Sequence, residues 1–107
     1  MKRPKTFRIE KHVKDYLRDS LKELGCWQYW PVSNGMGRHG IPDCLGCYKG
    51  LFFSVEAKAP GKRGNENRGA SALQMNELRS IAANGGLAWI CDGPEEVEAI
   101  VAYLKGL

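Results

Sequence analysis

Apolar and polar residues alternate along the chain with two different spacings, and the wider spacing predicts helices. Between residues 7 and 24, apolar residues recur every three or four positions, which predicts an amphipathic helix that ends at Gly25. Its inward stripe consists of Ile9, Val13, Tyr16, Leu17, Leu21 and Leu24. Two more helices are predicted over residues 71–83 and from residue 95 to about residue 104.

Shorter, mainly apolar stretches predict four strands. They cover residues 26–32, 44–48, 51–59 and 87–91. In the first stretch, Pro31 indicates a sheet edge or a strand end, because proline has no amide hydrogen to donate. Lys49-Gly50 separates the second from the third, which predicts a tight two-residue hairpin turn. The resulting order, αβββαβα, predicts an α/β fold in which helices flank a mixed sheet.

Size and composition predict one domain over residues 1–107, large enough for a real core but too short for two. The hydrophobic share of 43% and the charged share of 26% are typical of a soluble globular protein. No apolar run approaches the roughly 20 residues needed to span a bilayer. The basic start of the chain is not followed by the apolar stretch of a secretory signal. We therefore expect an intracellular, cytoplasmic protein that does not contact membranes.

Positive charge is concentrated in the first 91 residues. The net charge of the chain is +4, but residues 92–107 contain four of the twelve acids and one of the sixteen bases. Residues 1–91 therefore carry 15 bases against 8 acids. A basic surface of this kind suits a partner that carries phosphates, although a basic face that only contacts solvent is the alternative.

The four cysteines are expected to be reduced thiols, because disulfides are rare inside cells. They are Cys26, Cys44, Cys47 and Cys91. Cys44 and Cys47 form a C-x-x-C, but residues three apart in a strand face opposite sides of the sheet. No second C-x-x-C is present in the sequence. Buried structural cysteines are the preferred interpretation; a zinc-stabilised module is the alternative, and zinc is not expected.

The hairpin turn predicts that two acidic residues face each other. If Lys49-Gly50 is a two-residue turn, Tyr48 pairs with Leu51, and the same register places Asp43 opposite Glu56. Their Cβ atoms would then be about 5 Å apart, an arrangement that is destabilising for like charges. One divalent cation that accepts oxygens from both carboxylates would remove this repulsion. A bulged turn would shift the register by one residue.

Lys58 follows Glu56 by two positions and therefore shares its face of the strand. An ammonium there can hold an attacking water or hydroxide and offset charge on a pentavalent phosphate. The carbonyl of Ala57 would lie close to the metal as a further oxygen ligand. Glu-x-Lys is also common as a charged stripe on a solvated strand, so this three-residue pattern alone does not identify a site.

These motifs resemble those of a known enzyme family. Gly40-Ile41-Pro42-Asp43, Ser54-Val55-Glu56-Ala57-Lys58 and Gln74 on the following helix resemble the PD-(D/E)xK nucleases. The resemblance is narrower to stand-alone, phage or bacterial virus-type replication-repair nuclease (VRR-NUC) domains. It extends from Glu10 to the strand over residues 87–91 and implies a restriction-endonuclease-like core.

The resemblance also implies roles for individual residues. Asp43 and Glu56 would bind Mg²⁺ or Mn²⁺, Glu10 would complete the metal site, and Lys58 would be the catalytic lysine. Gln74 would orient the lysine or a phosphate. Two local alternatives remain: Glu10 as the i,i+4 partner of Lys14, and Gln74 as part of an S-x-x-Q capping box.

The implied activity is metal-dependent hydrolysis of DNA phosphodiester bonds by an endonuclease. The stand-alone members of the family act as homodimers on branched DNA, so the resemblance implies a homodimer and selectivity for four-way junctions or flaps here too. The alternative is a nucleic-acid-binding module of the same fold without catalysis.

The candidate DNA contacts lie on two polar, glycine-rich loops. They are Arg38 and His39 before the acidic site, and Lys62, Arg63 and Arg68 after Lys58. The second loop is expected to become ordered on DNA, whereas plain exposed loop residues are the alternative. Trp27 and Trp30 are interpreted as buried strand aromatics or dimer contacts rather than as base-stacking residues.

Overall fold

The computed structural model of the protein describes residues 2–32 and 37–107; residues 33–36 of the predicted glycine-rich loop lie outside this part. Its elements are α1 (Glu10–Leu24), β1 (Trp27–Tyr29), β2 (Cys44–Tyr48), β3 (Leu51–Ala57), α2 (Ala72–Ala83), β4 (Leu87–Cys91) and α3 (Pro94–Lys105). A short 3₁₀ segment, Glu66–Gly69, precedes α2. The predicted α/β class and the order αβββαβα are confirmed for the described residues.

The four strands of the described chain form one mixed sheet in the order β1-β2-β3-β4. The first three are antiparallel neighbours, whereas β4 runs parallel to β3 and is reached through α2. Tyr48 pairs with Leu51, so the predicted hairpin register is confirmed. Lys49 and Gly50 both have positive φ values, 51° and 82°, as a type I′ two-residue turn requires. This arrangement is compatible with the restriction-endonuclease-like core that the motif resemblance implies.

Helices α1 and α3 cover one face of the sheet. Val13, Leu17 and Leu21 of α1 are fully buried and belong to the same core cluster as Phe53 and Val55 of β3. The helix ends where predicted, with Gly25 in the left-handed region at a φ of 91°.

The predicted start of α1 at residue 7 is wrong, because the helix begins at Glu10. Ile9 precedes it with extended backbone angles and is 52% exposed, so it does not belong to the inward stripe. Phe7 instead lies outside the helix and packs edge-to-face on Tyr16, with 5.5 Å between the ring centroids.

The other face of the sheet is covered by α2, but only over part of its width. Ser54 and Glu56 of β3 point to this face and are both buried, at 0% and 1% exposure. A charged stripe on a solvated strand is therefore excluded for Glu56. Phe53, Val55 and Ala57 alternate with them and pack into the α1–α3 core, as predicted.

Strand β1 forms an edge of the sheet and is shorter than predicted. It ends at Tyr29, two residues before Pro31, in agreement with the prediction of an edge or a strand end. Trp27 is 61% exposed, so of its two predicted roles burial within the chain is wrong and a dimer contact stays a prediction. Trp30 is half-buried under the guanidinium of Arg18, which lies 4.5 Å from the ring centroid.

The cysteines are free thiols in two environments. Cys44 and Cys91 are fully buried, and burial raises the pKa of each thiol to about 12. Cys26 and Cys47 are only half-buried, so the prediction of buried cysteines is confirmed for two of the four. Within residues 2–32 and 37–107, none of the helices combines the length and apolar character that a bilayer crossing requires.

Candidate active site

The predicted acidic pair is the centre of the site, and the two carboxylates are held by backbone groups of opposing strands. Asp43 directly precedes β2 and lies opposite Glu56 in the hairpin register. The amide of Asp43 donates to Glu56 Oε1 at 3.1 Å. The amide of Ala57 donates to Asp43 Oδ2 at 2.9 Å. One oxygen of each carboxylate is thus fixed, and the other oxygen, Oδ1 or Oε2, contacts a lysine.

Lys58 is the lysine beside Glu56. Its Nζ lies 3.1 Å from Glu56 Oε2 and donates to Gln74 Oε1 at 2.9 Å. Although β3 ends at Ala57, the amide of Lys58 still donates to the carbonyl of Cys91 at 2.8 Å. Its side chain is 15% exposed. The backbone and the ammonium of Lys58 are therefore both held in place, and the ammonium contacts the carboxylate of Glu56.

Gln74 combines the two roles that the sequence left as alternatives. Its backbone N–H donates to Ser71 Oγ at 3.1 Å, and its side-chain Oε1 accepts a hydrogen bond from the backbone N–H of Ser71 at 2.8 Å. These two bonds complete the capping box of α2. The same Oε1 accepts the hydrogen bond from Lys58. The cap therefore fixes the rotamer that positions the lysine.

Glu10 reaches the site through Lys14, a residue that the sequence had indicated only as its helix partner. Lys14 Nζ lies 3.0 Å from Glu10 Oε2 and 3.7 Å from Asp43 Oδ1. In the described ranges, 2–32 and 37–107, no group of three or more His, Cys, Asp or Glu side chains is arranged to hold a metal ion. Glu10 is thus near Asp43, with the ammonium of Lys14 between the two carboxylates.

The acidic pair is short of positive charge in spite of the two lysines. Burial raises the pKa of Glu56 to about 7, and the charge of Asp43 adds to this shift, while Lys58 opposes it. Burial lowers the pKa of Lys14, but its hydrogen bond to Glu10 and the charge of Asp43 outweigh burial and raise it overall. Two neighbouring carboxylates whose charges repel each other fit a hard divalent cation, and Mg²⁺ and Mn²⁺ prefer such oxygen ligands.

A cavity of about 700 Å³ opens beside Asp43. Its walls are formed by residues 37–43, by the start of α2, and by the last residue of β1 and the residues that follow it. They include Tyr29, Val32, His39, Leu73 and Gln74. The site therefore lies at the end of an open groove that combines apolar and polar walls.

Arg38 and His39 differ in how they are held. Arg38 forms a two-point ion pair with Glu77 of α2. Its Nε lies 2.5 Å from Glu77 Oε2, and its Nη2 lies 2.6 Å from Glu77 Oε1. His39 is exposed and lines the groove. The role of both residues in DNA binding stays a prediction, and Arg38 also tethers its loop to α2.

Arg63 and Arg68 lie against an acidic pair at the start of α3. Arg63 forms ion pairs with Glu96 and with Asp92, and Arg68 Nη2 lies 3.6 Å from Asp92 Oδ1. Asp92 is almost fully buried. These ion pairs hold the loop against α3, and the expectation that the loop becomes ordered on DNA stays a prediction. Lys62 is exposed, and the DNA-contact role of all three residues stays a prediction.

Comparison with known proteins does not assign the chain to a family. No protein-family model matches it, and none of the curated proteins is detectably similar in sequence. The resemblance to PD-(D/E)xK nucleases therefore depends on the short sequence motifs.

Proposed function

We propose that the protein is a divalent-metal-dependent endonuclease that hydrolyses DNA phosphodiester bonds. One observation carries this proposal: Asp43 and Glu56 stand opposite each other, each anchored by backbone amides, with the ammonium of Lys58 3.1 Å from Glu56. A cation site would account for this charge-deficient pair, in which Glu56 is buried and Asp43 is half-buried, whereas a purely structural ion pair would not need two opposed carboxylates.

The residues divide the chemistry as follows. Asp43, Glu56 and the carbonyl of Ala57 would hold Mg²⁺ or Mn²⁺, with Glu10 as a further ligand. The bound cation supplies Lewis acidity and lowers the pKa of its water. Lys58 orients the attacking water and stabilises negative charge on the phosphate during displacement. Gln74 keeps the ammonium of Lys58 in position through its hydrogen bond at 2.9 Å.

The motif resemblance and the basic composition support DNA as the substrate, and branched DNA in particular. The proposal is tested by incubating the protein with linear duplex, flap and four-way junction DNA, with Mg²⁺, with Mn²⁺ and with a chelator. Internal cleavage that requires the metal, and that is fastest on a branched substrate, is the expected result. Salt-sensitive binding without cleavage under any metal condition would support the non-catalytic nucleic-acid-binding module instead.

We further propose that the protein acts as a homodimer in the cytoplasm. The open edge of β1 and its exposed apolar side chains support self-association, because such edges readily pair with a second chain. Trp27, Tyr29 and Val32 are 61%, 53% and 83% exposed. Light scattering is expected to give twice the monomer mass, and Trp27→Glu is expected to reduce it to that of a monomer. An unchanged mass for both proteins at the monomer value would contradict the dimer.

The two roles of Gln74 can be separated by two variants. Ser71→Ala removes the hydroxyl that caps α2 but leaves the side chain of Gln74 in place. It is expected to cost about 1 kcal/mol of unfolding free energy and to leave cleavage nearly unchanged. Gln74→Ala removes the reciprocal hydrogen bond of the capping box, from the backbone N–H of Ser71 to Oε1, and also frees Lys58, so it is expected to lower kcat about tenfold in addition. Urea unfolding and single-turnover cleavage measure the two effects. Equal kcat losses in both variants would contradict a positioning role for Gln74.

A further inference from the structure

We propose that the ammonium of Lys14 is a built-in counter-ion that occupies the space between Glu10 and Asp43 and is displaced when a divalent cation binds. This inference rests on the proposed function, because it assigns a role to a residue of the same metal site. In this arrangement, Lys14 neutralises the acidic site in the absence of metal and weakens its affinity for the cation.

The distances place the ammonium where a bridging cation would have to be. Lys14 Nζ is 3.0 Å from Glu10 Oε2 and 3.7 Å from Asp43 Oδ1, and it also interacts with the charge of Glu56. A divalent cation bound to the same oxygens would lie about 2.0–2.6 Å from each of them. The ammonium and the cation cannot both occupy this space, so binding requires that Lys14 move.

Lys14 is able to move, whereas Lys58 is held. The ammonium of Lys58 is fixed by the neutral acceptor Gln74, and its side chain is 15% exposed. In contrast, the ion pairs that the described part of the chain gives Lys14 are with Glu10 and Asp43, both of them proposed ligands. Its side chain is 31% exposed, and its four-carbon stem can turn toward solvent. The distance of 3.7 Å to Asp43 is also too long for a hydrogen bond, so this contact is easily lost.

Metal binding to the chelator-stripped protein tests the inference without any cleavage assay. Mn²⁺ affinity is measured by titration calorimetry for the parent and for Lys14→Met, which keeps the length of the side chain but removes its charge. The variant is expected to bind Mn²⁺ about tenfold more tightly, which corresponds to about 1.4 kcal/mol. Lys14→Arg retains the charge and is expected to stay close to the parent.

Lys11→Met is the matched control, because it removes the same charge from the same helix at a position paired with Asp15. Its Mn²⁺ affinity is expected to stay within about twofold of the parent, as general screened electrostatics allows. Circular dichroism verifies folding, and Lys14→Gln replaces the methionine variant if that variant is unfolded.

The outcomes distinguish this inference from the proposed function. Equal or weaker Mn²⁺ binding by Lys14→Met than by the parent would overturn the displacement of Lys14 and leave the nuclease proposal standing. Absence of Mn²⁺ binding in all variants, or full binding by Asp43→Asn, would overturn the metal site itself and this inference with it. Tighter Mn²⁺ binding by Lys14→Met, with Lys14→Arg and Lys11→Met close to the parent, would support the inference.

Discussion

Lys58→Met is expected to lower metal-dependent DNA cleavage by about 10²–10³-fold, with the protein still folded. The methionine keeps the unbranched side chain but removes the only group that reaches both Glu56 and Gln74 in the described structure. Loss of the ammonium leaves the attacking water unoriented and the phosphate charge uncompensated. DNA affinity is expected to change little, because the Lys58 side chain is only 15% exposed and its ammonium contacts Glu56 and Gln74, so the effect falls on the chemical step.

The measurement is single-turnover cleavage at saturating DNA, combined with a binding assay in the presence of Ca²⁺ or a chelator. Lys105→Met, at the exposed end of α3, is the matched control for the loss of one positive charge. A Lys58→Met protein that cuts as fast as the parent would remove Lys58 from the catalytic site. A parallel loss of binding and cleavage would make it a DNA contact instead.

Glu56→Gln is expected to abolish cleavage and, at the same time, to change how stability depends on pH. In the metal-free protein, burial and Asp43 raise the pKa of Glu56 to about 7. Between its ordinary pKa of 4.5 and this value, the folded state binds more protons at Glu56 than the unfolded state does. The free energy of unfolding of the parent should therefore fall as pH rises through this window, and the full cost of ionising Glu56 is present above about pH 7.

Glutamine does not ionise, so this cost is absent in the variant. The difference in free energy of unfolding, variant minus parent, should therefore increase by about 1–2 kcal/mol from about pH 5 to about pH 8. Comparison of the two pH values cancels the pH-independent effect of the altered hydrogen bonds to Asp43 and Lys58. Urea unfolding with a chelator present gives the values, and exposed Glu66→Gln controls for the substitution itself.

If the free energies of unfolding of Glu56→Gln and the parent differed by the same amount at both pH values, the charge deficit at this site would be contradicted. Addition of Mg²⁺ provides a second readout. The cation should stabilise the parent at high pH more than the variant, because binding of a ligand by the folded state alone raises its stability.

The core of the site could be predicted because it depends on local geometry. The dipeptide Lys49-Gly50 sets the turn, the turn sets the register, and the two-residue period of a strand then places Asp43, Glu56 and Lys58. None of these steps requires knowledge of how the helices pack. The same holds for the capping box of Ser71 and Gln74, which spans a single helical turn.

The contacts between distant segments could not be predicted in this way. Arg63 and Arg68 meet Asp92 and Glu96 only because the loop after β3 lies against the start of α3. Similarly, Lys14 reaches Asp43 because of the way α1 packs across the sheet, and no spacing in the sequence encodes that placement.

The exposure of the helix start and of β1 also depends on tertiary structure. Ile9 fits the apolar period of α1, but the helix begins one residue later and leaves it in solvent. Trp27 belongs to an apolar run, yet α2 does not reach the sheet edge on which it lies. Periodicity predicts which face a residue shares, but it does not predict whether a neighbouring element covers that face.

The two hydrogen bonds between the Asp43 and Glu56 segments of the hairpin would make the proposed catalysis depend on correct folding. Each carboxylate is aligned by an amide of the opposing strand, so a hairpin shifted by one residue would lose both alignments together. A misregistered or partly unfolded chain would therefore present separated acids and no aligned lysine. For an enzyme proposed to cut DNA, this dependence would confine hydrolysis to molecules that have completed folding.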